Sequence, residues 1–86
     1  MIALPVFDHY RRQLNRWIES LDDGKSASVQ RSVAKALVGL LRVRGSKRHA
    51  QLAGYLELAH MALSEGQTEG ARYVLLSAGA AMGWHD

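Results

Sequence analysis

Apolar residues recur three and four positions apart along most of this chain, and no segment alternates convincingly at every second position. The first spacing places side chains on one face of an α-helix, whereas strands require the second. The pattern predicts four helices, at residues 5–22, 27–43, 46–64 and 68–82. We therefore expect an all-α fold, a compact four-helix domain that spans residues 1–86.

Glycines separate the four apolar runs. Gly24, Gly45, Gly66 and Gly83 each follow such a run, and glycine just past a helix end adopts a left-handed conformation without steric penalty. Polar residues that can cap the next helix follow three of these glycines. The capping candidates are Ser26 or Ser28, Ser46, and Thr68. The glycines therefore mark the predicted corners of the fold.

The first two predicted helices are apolar on one face only, which is typical of helices that border a core. In helix one this face comprises Phe7, Tyr10, Leu14, Trp17, Ile18 and Leu21. In helix two it comprises Val29, Val33, Ala36, Leu37, Leu40 and Val43. We expect both sets to be buried.

Helices three and four are apolar on two faces. In helix three, Leu52, Tyr55, Leu56, Ala59 and Leu63 share one face, and Ala50, Gly54, Leu58 and Met61 share a roughly opposite one. In helix four the two sets are Ala71, Val74, Leu75, Ala78 and Met82, and Tyr73, Leu76 and Ala80. A helix that is apolar nearly all round is normally buried nearly all round.

A chain of 86 residues provides too little protein to cover two such helices. The pattern therefore predicts self-association, most simply a homodimer, since twofold dimers are the commonest oligomers. The predicted oligomer interface is Gly54, Leu58, Met61, Tyr73, Leu76 and Ala80. The alternative is a compact monomer in which helix four is the central helix.

The segment from Tyr55 to Gly83 places small and apolar residues at spacings like those of the packing positions of a tetratricopeptide unit. These residues are Tyr55, Leu58, Ala59, Ala62, Gly66, Ala71, Leu75 and Ala78. The segment thus resembles one repeat of the tetratricopeptide family. The resemblance implies that helices three and four form a tight antiparallel hairpin.

The composition narrows the class of protein. Apolar residues make up 48% of the chain and charged residues 22%, which is ordinary for a globular domain. Without cysteine, the chain has neither disulfides nor thiolate chemistry. The opening residues lack a signal-peptide pattern, and the longest mostly apolar run, residues 73–84, is shorter than the roughly 20 residues that span a bilayer. We expect a cytoplasmic protein that does not contact membranes.

No motif for catalysis stands out. Phosphate-binding glycine loops and nucleophile motifs are absent from the sequence. Glu57 and His60 have the spacing that puts two metal ligands on one helix face, but di-iron bundles require two such motifs and further inward glutamates. We therefore predict no catalytic residues, no metal, no cofactor and no enzymatic activity.

Cations gather on helix two and at the corner that follows it, in a chain of net charge +3. The predicted partner-binding residues are Arg31, Lys35, Arg42, Arg44, Lys47 and Arg48, with His49 as a further candidate. With the surplus apolar surface, this basic corner indicates a small regulatory, adaptor or inhibitor protein that binds a larger protein with an acidic surface. The alternative is a nucleic-acid-binding regulator that uses the same cations on phosphates. A solvated helix end, whose cations complement the helix dipole, would give the same pattern.

Overall fold

The computed structural model describes residues 5–43 and 46–84, with side chains from residue 8 onward. It contains four helices, α1 (Pro5–Asp22), α2 (Ser26–Leu41), α3 (Lys47–Ser64) and α4 (Thr68–Ala81). The predicted all-α class is confirmed, and each predicted boundary lies within two residues of the observed one.

Helix α3 packs closely against both α2 and α4, which confirms the predicted α3–α4 hairpin. Helix α1 closes the bundle more loosely, through contacts with α2 and α4. We call the buried face of α3, with Leu52, Leu56 and Ala59, the inner face, and the roughly opposite exposed face, with Leu58 and Met61, the outer face. The Cα positions extend over 39 × 27 × 18 Å.

Polar contacts link neighbouring helices. Each joins the second half of one helix, or the residue that directly follows it, to the first half of the neighbouring helix, so neighbouring helices run antiparallel. The contacts are Trp17 Nε1 to Ser32 Oγ (2.9 Å), Gln30 Nε2 to Ser64 Oγ (3.2 Å), Arg48 Nη2 to the Met82 carbonyl (2.9 Å) and Arg72 Nε to Asp22 Oδ1 (2.8 Å).

All four helices contribute apolar side chains to one core. Its largest members are Leu14, Trp17, Leu21, Val29, Val33, Leu40, Leu52, Leu56, Leu63, Leu75 and Met82. The predicted burial of Val43 is wrong, because this side chain is 42% exposed. Helix α2 ends at Leu41, and the Val43 N–H bonds to the Leu40 carbonyl three residues back. This tighter turn carries Val43 off the buried face. The predicted place of Phe7 in the core lies outside the described side chains.

Three of the four predicted corner glycines have the left-handed backbone. Gly24, Gly66 and Gly83 have φ angles of 78°, 75° and 75°. Gly45 lies outside the described residues. The predicted cap at Ser46 is confirmed, since Ser46 Oγ accepts a hydrogen bond from the His49 N–H at 3.3 Å.

The other predicted caps are wrong. Lys25 and Gln67 occupy the N-cap positions of α2 and α4, and neither side chain makes a capping hydrogen bond. The chain enters each helix directly after the turn glycine and one further residue. Ser26 and Thr68 are therefore already the first helical residues, and Ser28 lies inside α2.

Candidate docking surface

Helix α3 has two apolar faces with opposite environments. Leu52, Leu56 and Ala59 on the inner face are at most 1% exposed. Leu58 and Met61 on the outer face are each 53% exposed. The bundle therefore covers only one of the two apolar faces that the sequence pattern shows.

The predicted oligomer interface lies on two helices. Gly54, Leu58 and Met61 are exposed on the outer face of α3. Tyr73, at 72% exposed, and Ala80 are exposed on α4, and Leu76 is half-buried. The alternative in which helix four is the central helix does not describe this bundle, because α3 rather than α4 packs closely against two neighbours.

A shallow hollow lies on the outer face of α3. It has a volume of about 350 Å³ and is lined by Gln51, Gly54, Tyr55 and Leu58. A β-carbon placed on Gly54 would meet no atom within 4 Å. The hollow is therefore open above the glycine, and nothing in the bundle itself requires a glycine there.

Helix α2 exposes two aliphatic side chains that the sequence reasoning missed. Val38 is 52% exposed and Leu41 is 65% exposed. At about 100° per residue, Val38 falls on the side of α2 that carries the cations rather than on the face of Val33. This angular position is the feature of the sequence that could have predicted its exposure. The sequence pattern did not indicate that Leu41 is exposed, because Leu41 directly follows Leu40, which is buried.

The predicted basic stripe occupies the same side of α2 as Val38, and Leu41 borders that side. Arg31, Lys35, Val38 and Arg42 fall within roughly 60° around the helix axis, and Arg31 lies about 16 Å from Arg42 along it. The three cations are exposed and form no ion pair within residues 5–43 and 46–84. We call these four residues, with the adjoining Leu41, the α2 outer face.

The cations predicted to bind a partner at the corner after α2 differ in exposure and in hydrogen bonding. Arg44 lies outside the described residues, and Lys47 is exposed. Arg48 donates from Nη2 to the Met82 carbonyl at the C-terminal end of α4, where helix carbonyls lack partners within the helix. Arg48 therefore links α3 to α4 within the chain.

His49 does not belong to an exposed corner. It is only 8% exposed, and its Nδ1 lies 2.7 Å from Ser46 Oγ. The expectation that His49 is available to a partner is wrong, because the first turn of α3 directs this ring inward beneath the Ser46 cap.

A second cleft lies between α1 and α2, where the two helices pack loosely. Its volume is about 230 Å³, and its lining includes His9, Tyr10, Gln13 and Lys35. Gln13 Oε1 is buried there and accepts no hydrogen bond from any described group. Within the described residues, no three His, Asp, Glu or Cys side chains come close enough together to hold a metal ion.

No helix within residues 5–43 and 46–84 combines the length and apolar character needed to cross a membrane. No protein-family model, curated protein or solved structure matches the chain.

Proposed function

We propose that this chain is a small non-enzymatic adaptor or regulatory protein of the cytoplasm, which docks on a larger protein through the α2 outer face. One observation carries the proposal. Val38 is more than half exposed on the same side of α2 as Arg31, Lys35 and Arg42, and Leu41, also more than half exposed, borders that side about 60° around the helix from Val38. Such a surface combines an apolar centre with charges that select a partner.

The apolar part of this surface supplies binding energy. Burying an exposed aliphatic side chain completely contributes about 1.5–3 kcal/mol. Val38 and Leu41 begin roughly half exposed, so a partner that covers both gains a substantial part of that amount for each. Within the bundle, these exposed portions contribute little to folding.

The cationic part of the surface defines the chemistry of the partner. Arg31, Lys35 and Arg42 form no ion pair with described residues, so they face the partner with their full charge. Complementary carboxylates would raise the association rate and the specificity more than the affinity. The partner we propose therefore presents an acidic surface around an apolar ridge, about as long as three helical turns.

Nucleic acid is the alternative occupant, and it fits this face less well. Phosphates would pair with the three cations, but they would leave Val38 and Leu41 in water. Single-stranded nucleic acids also gain affinity by stacking bases on aromatic rings, and α2 contains no aromatic residue. The exposed aliphatic side chains therefore favour a protein.

The test compares two substitutions on the α2 outer face. Val38→Asp adds a charge at the apolar centre, and Arg42→Glu reverses one cation. We expect each to weaken binding of a purified partner by about tenfold or more, as loss of a central contact or a charge reversal does. Candidate partners are captured from the native host with the unmodified chain, and each is then titrated in purified form.

Two controls separate a specific site from a general charge effect. Val38→Ile keeps the apolar centre, and Arg16→Glu reverses an exposed cation on α1; both should bind as the unmodified chain does. Captured proteins that bind all variants equally would contradict the proposal. Steeply salt-dependent binding to duplex or single-stranded oligonucleotides, lost in Arg31→Ala/Lys35→Ala, would favour nucleic acid instead.

A further inference from the structure

The outer face of α3 contains a regular series of exposed positions. Starting at Lys47, they follow one another at alternating steps of four and three residues. The series is Lys47, Gln51, Gly54, Leu58, Met61 and Glu65. Steps that average 3.5 residues are the spacing along which two helices pair in a coiled coil. We call these six residues the α3 seam.

We infer that the α3 seam binds the α3 seam of a second copy of this chain, antiparallel and across a twofold axis. The axis passes at the level of Leu56. Lys47 and Glu65 lie equally far from Leu56 along the helix, and so do Gly54 and Leu58. A twofold interface requires a surface that complements itself in this way.

Shape supports this register. Leu58 of the second copy stands opposite Gly54, where the hollow lined by Gln51, Gly54, Tyr55 and Leu58 is open. Because the axis is twofold, Leu58 of the first copy enters the corresponding hollow of the second. Each leucine becomes a knob that fits into a hole on the facing helix.

Charge supports the same register independently. The seam ends in a cation at Lys47 and in an anion at Glu65, and neither forms an ion pair with a described residue. An antiparallel second copy pairs each lysine with a glutamate and also pairs helix ends of opposite dipole. A parallel copy would instead place lysine against lysine and glutamate against glutamate.

The third pair completes the seam. Gln51 and Met61 lie equally far from Leu56, so Met61 of the second copy covers Gln51. Methionine is unbranched and flexible, and it fills irregular gaps at interfaces. The same register therefore assigns a facing residue to every position of the seam.

The dimer does not depend on the proposed docking function. It uses α3, whereas docking uses the side chains of Arg31, Lys35, Val38, Leu41 and Arg42 on α2. Self-association is measured on the purified chain alone, so failure of the dimer would leave the docking proposal standing, and failure of docking would leave the dimer standing.

The test is charge reversal, followed by analytical ultracentrifugation over a micromolar-to-millimolar concentration series. We expect the unmodified chain to dimerise, and we expect Lys47→Glu and Glu65→Lys each to raise the dimer Kd by about tenfold, because like charges then face each other twice. The double variant Lys47→Glu/Glu65→Lys should restore the original Kd. An equimolar mixture of the two single variants should form a heterodimer, because an all-acidic seam then meets an all-basic one.

Matched controls carry the same charge changes away from the seam. Arg16→Glu on α1 and Glu69→Lys on α4 alter exposed residues and should leave the dimer Kd unchanged. Circular dichroism verifies that each variant keeps its helices. A monomeric unmodified chain, single variants that behave like the controls, or a double variant that fails to recover would each overturn the inference.

Engineered cysteines test the register directly, since the chain contains no cysteine of its own. An oxidised mixture of Gln51→Cys and Met61→Cys should form a disulfide-linked heterodimer, because the two positions face each other. Either variant alone should cross-link poorly, since its two cysteines lie about 15 Å apart along the axis, beyond the reach of a disulfide. Efficient cross-linking within either single variant would contradict the register.

Discussion

Leu56 and Leu58 are the same residue type, two positions apart on α3, and their environments are opposite. Leu56 is fully buried, whereas Leu58 is 53% exposed. The bundle places α2 and α4 beside the first and leaves the second outside. A leucine in this helix therefore contributes to the fold on one face and is available for binding on the other, although both faces look alike in the sequence.

The largest expected change in the free energy of unfolding distinguishes these two leucines. Leu56→Ala should lower the free energy of unfolding by about 2–5 kcal/mol, because it leaves a cavity in a packed core. Leu58→Ala should change it by less than about 0.5 kcal/mol, because the side chain is largely in water. Urea denaturation of dilute protein measures both, and equal losses would show that the outer face is covered within a single chain.

An intermediate loss of stability is expected when the cap at the first turn of α3 is removed. Ser46→Ala removes the hydroxyl that accepts from the His49 N–H and contacts its ring. Loss of such a cap costs about 0.5–2 kcal/mol of stability. Thermal or urea unfolding measures the change. Ser28→Ala is the control: Ser28 is exposed inside α2 and caps nothing, so a comparable loss there would refute the assignment of the caps.

The smallest expected change in the free energy of unfolding is a gain rather than a loss. It tests whether the outer face of α3 is open to solvent in the monomer. Gly54→Ala should raise the free energy of unfolding of the monomer by about 0.5–1 kcal/mol, because alanine favours the helix and its methyl group enters open space. The same methyl group occupies the hollow that Leu58 of a second copy fills, so the substitution should weaken self-association. Denaturation at low concentration and sedimentation at high concentration measure the two effects.

Gly66→Ala provides the contrast. Gly66 has a φ of 75°, and a side chain in the left-handed region costs about 1–2 kcal/mol. Loss of stability in both glycine variants would mean that Gly54 is needed by the fold itself and would remove one support for the dimer.

Local signals predicted the elements well, because they depend on neighbours in the chain. The helical spacing of apolar residues and the glycines at positions 24, 66 and 83 gave boundaries within two residues of those observed. The failures at Ser26 and Thr68 have a local cause that the pattern does not resolve. Whether a helix begins one residue before or after a candidate cap depends on the turn that precedes it.

The surface was harder to predict, because it depends on contacts between residues far apart in sequence. Arg48 looks like any other cation of the corner, yet Met82, 34 positions away, provides its acceptor. Asp22 places a negative charge at the C-terminal end of α1, where the helix dipole disfavours it. In the folded chain, it accepts a hydrogen bond from Arg72 of the neighbouring helix α4. Leu41 directly follows the buried Leu40, and the sequence alone does not show that the bundle leaves Leu41 65% exposed.

The sequence by itself determined the number of helices, their approximate limits and the presence of two apolar faces on α3, since each follows from periodicity along a single segment. The tertiary structure alone decided which of those faces is buried, which cations have partners and where exposed aliphatic side chains adjoin exposed charges. Burial depends on which helices lie beside one another, and one helix considered alone carries no information about its neighbours. The α2 outer face and the α3 seam are therefore properties of the folded bundle: the sequence specifies their residue types, and the packing of the helices leaves those residues exposed.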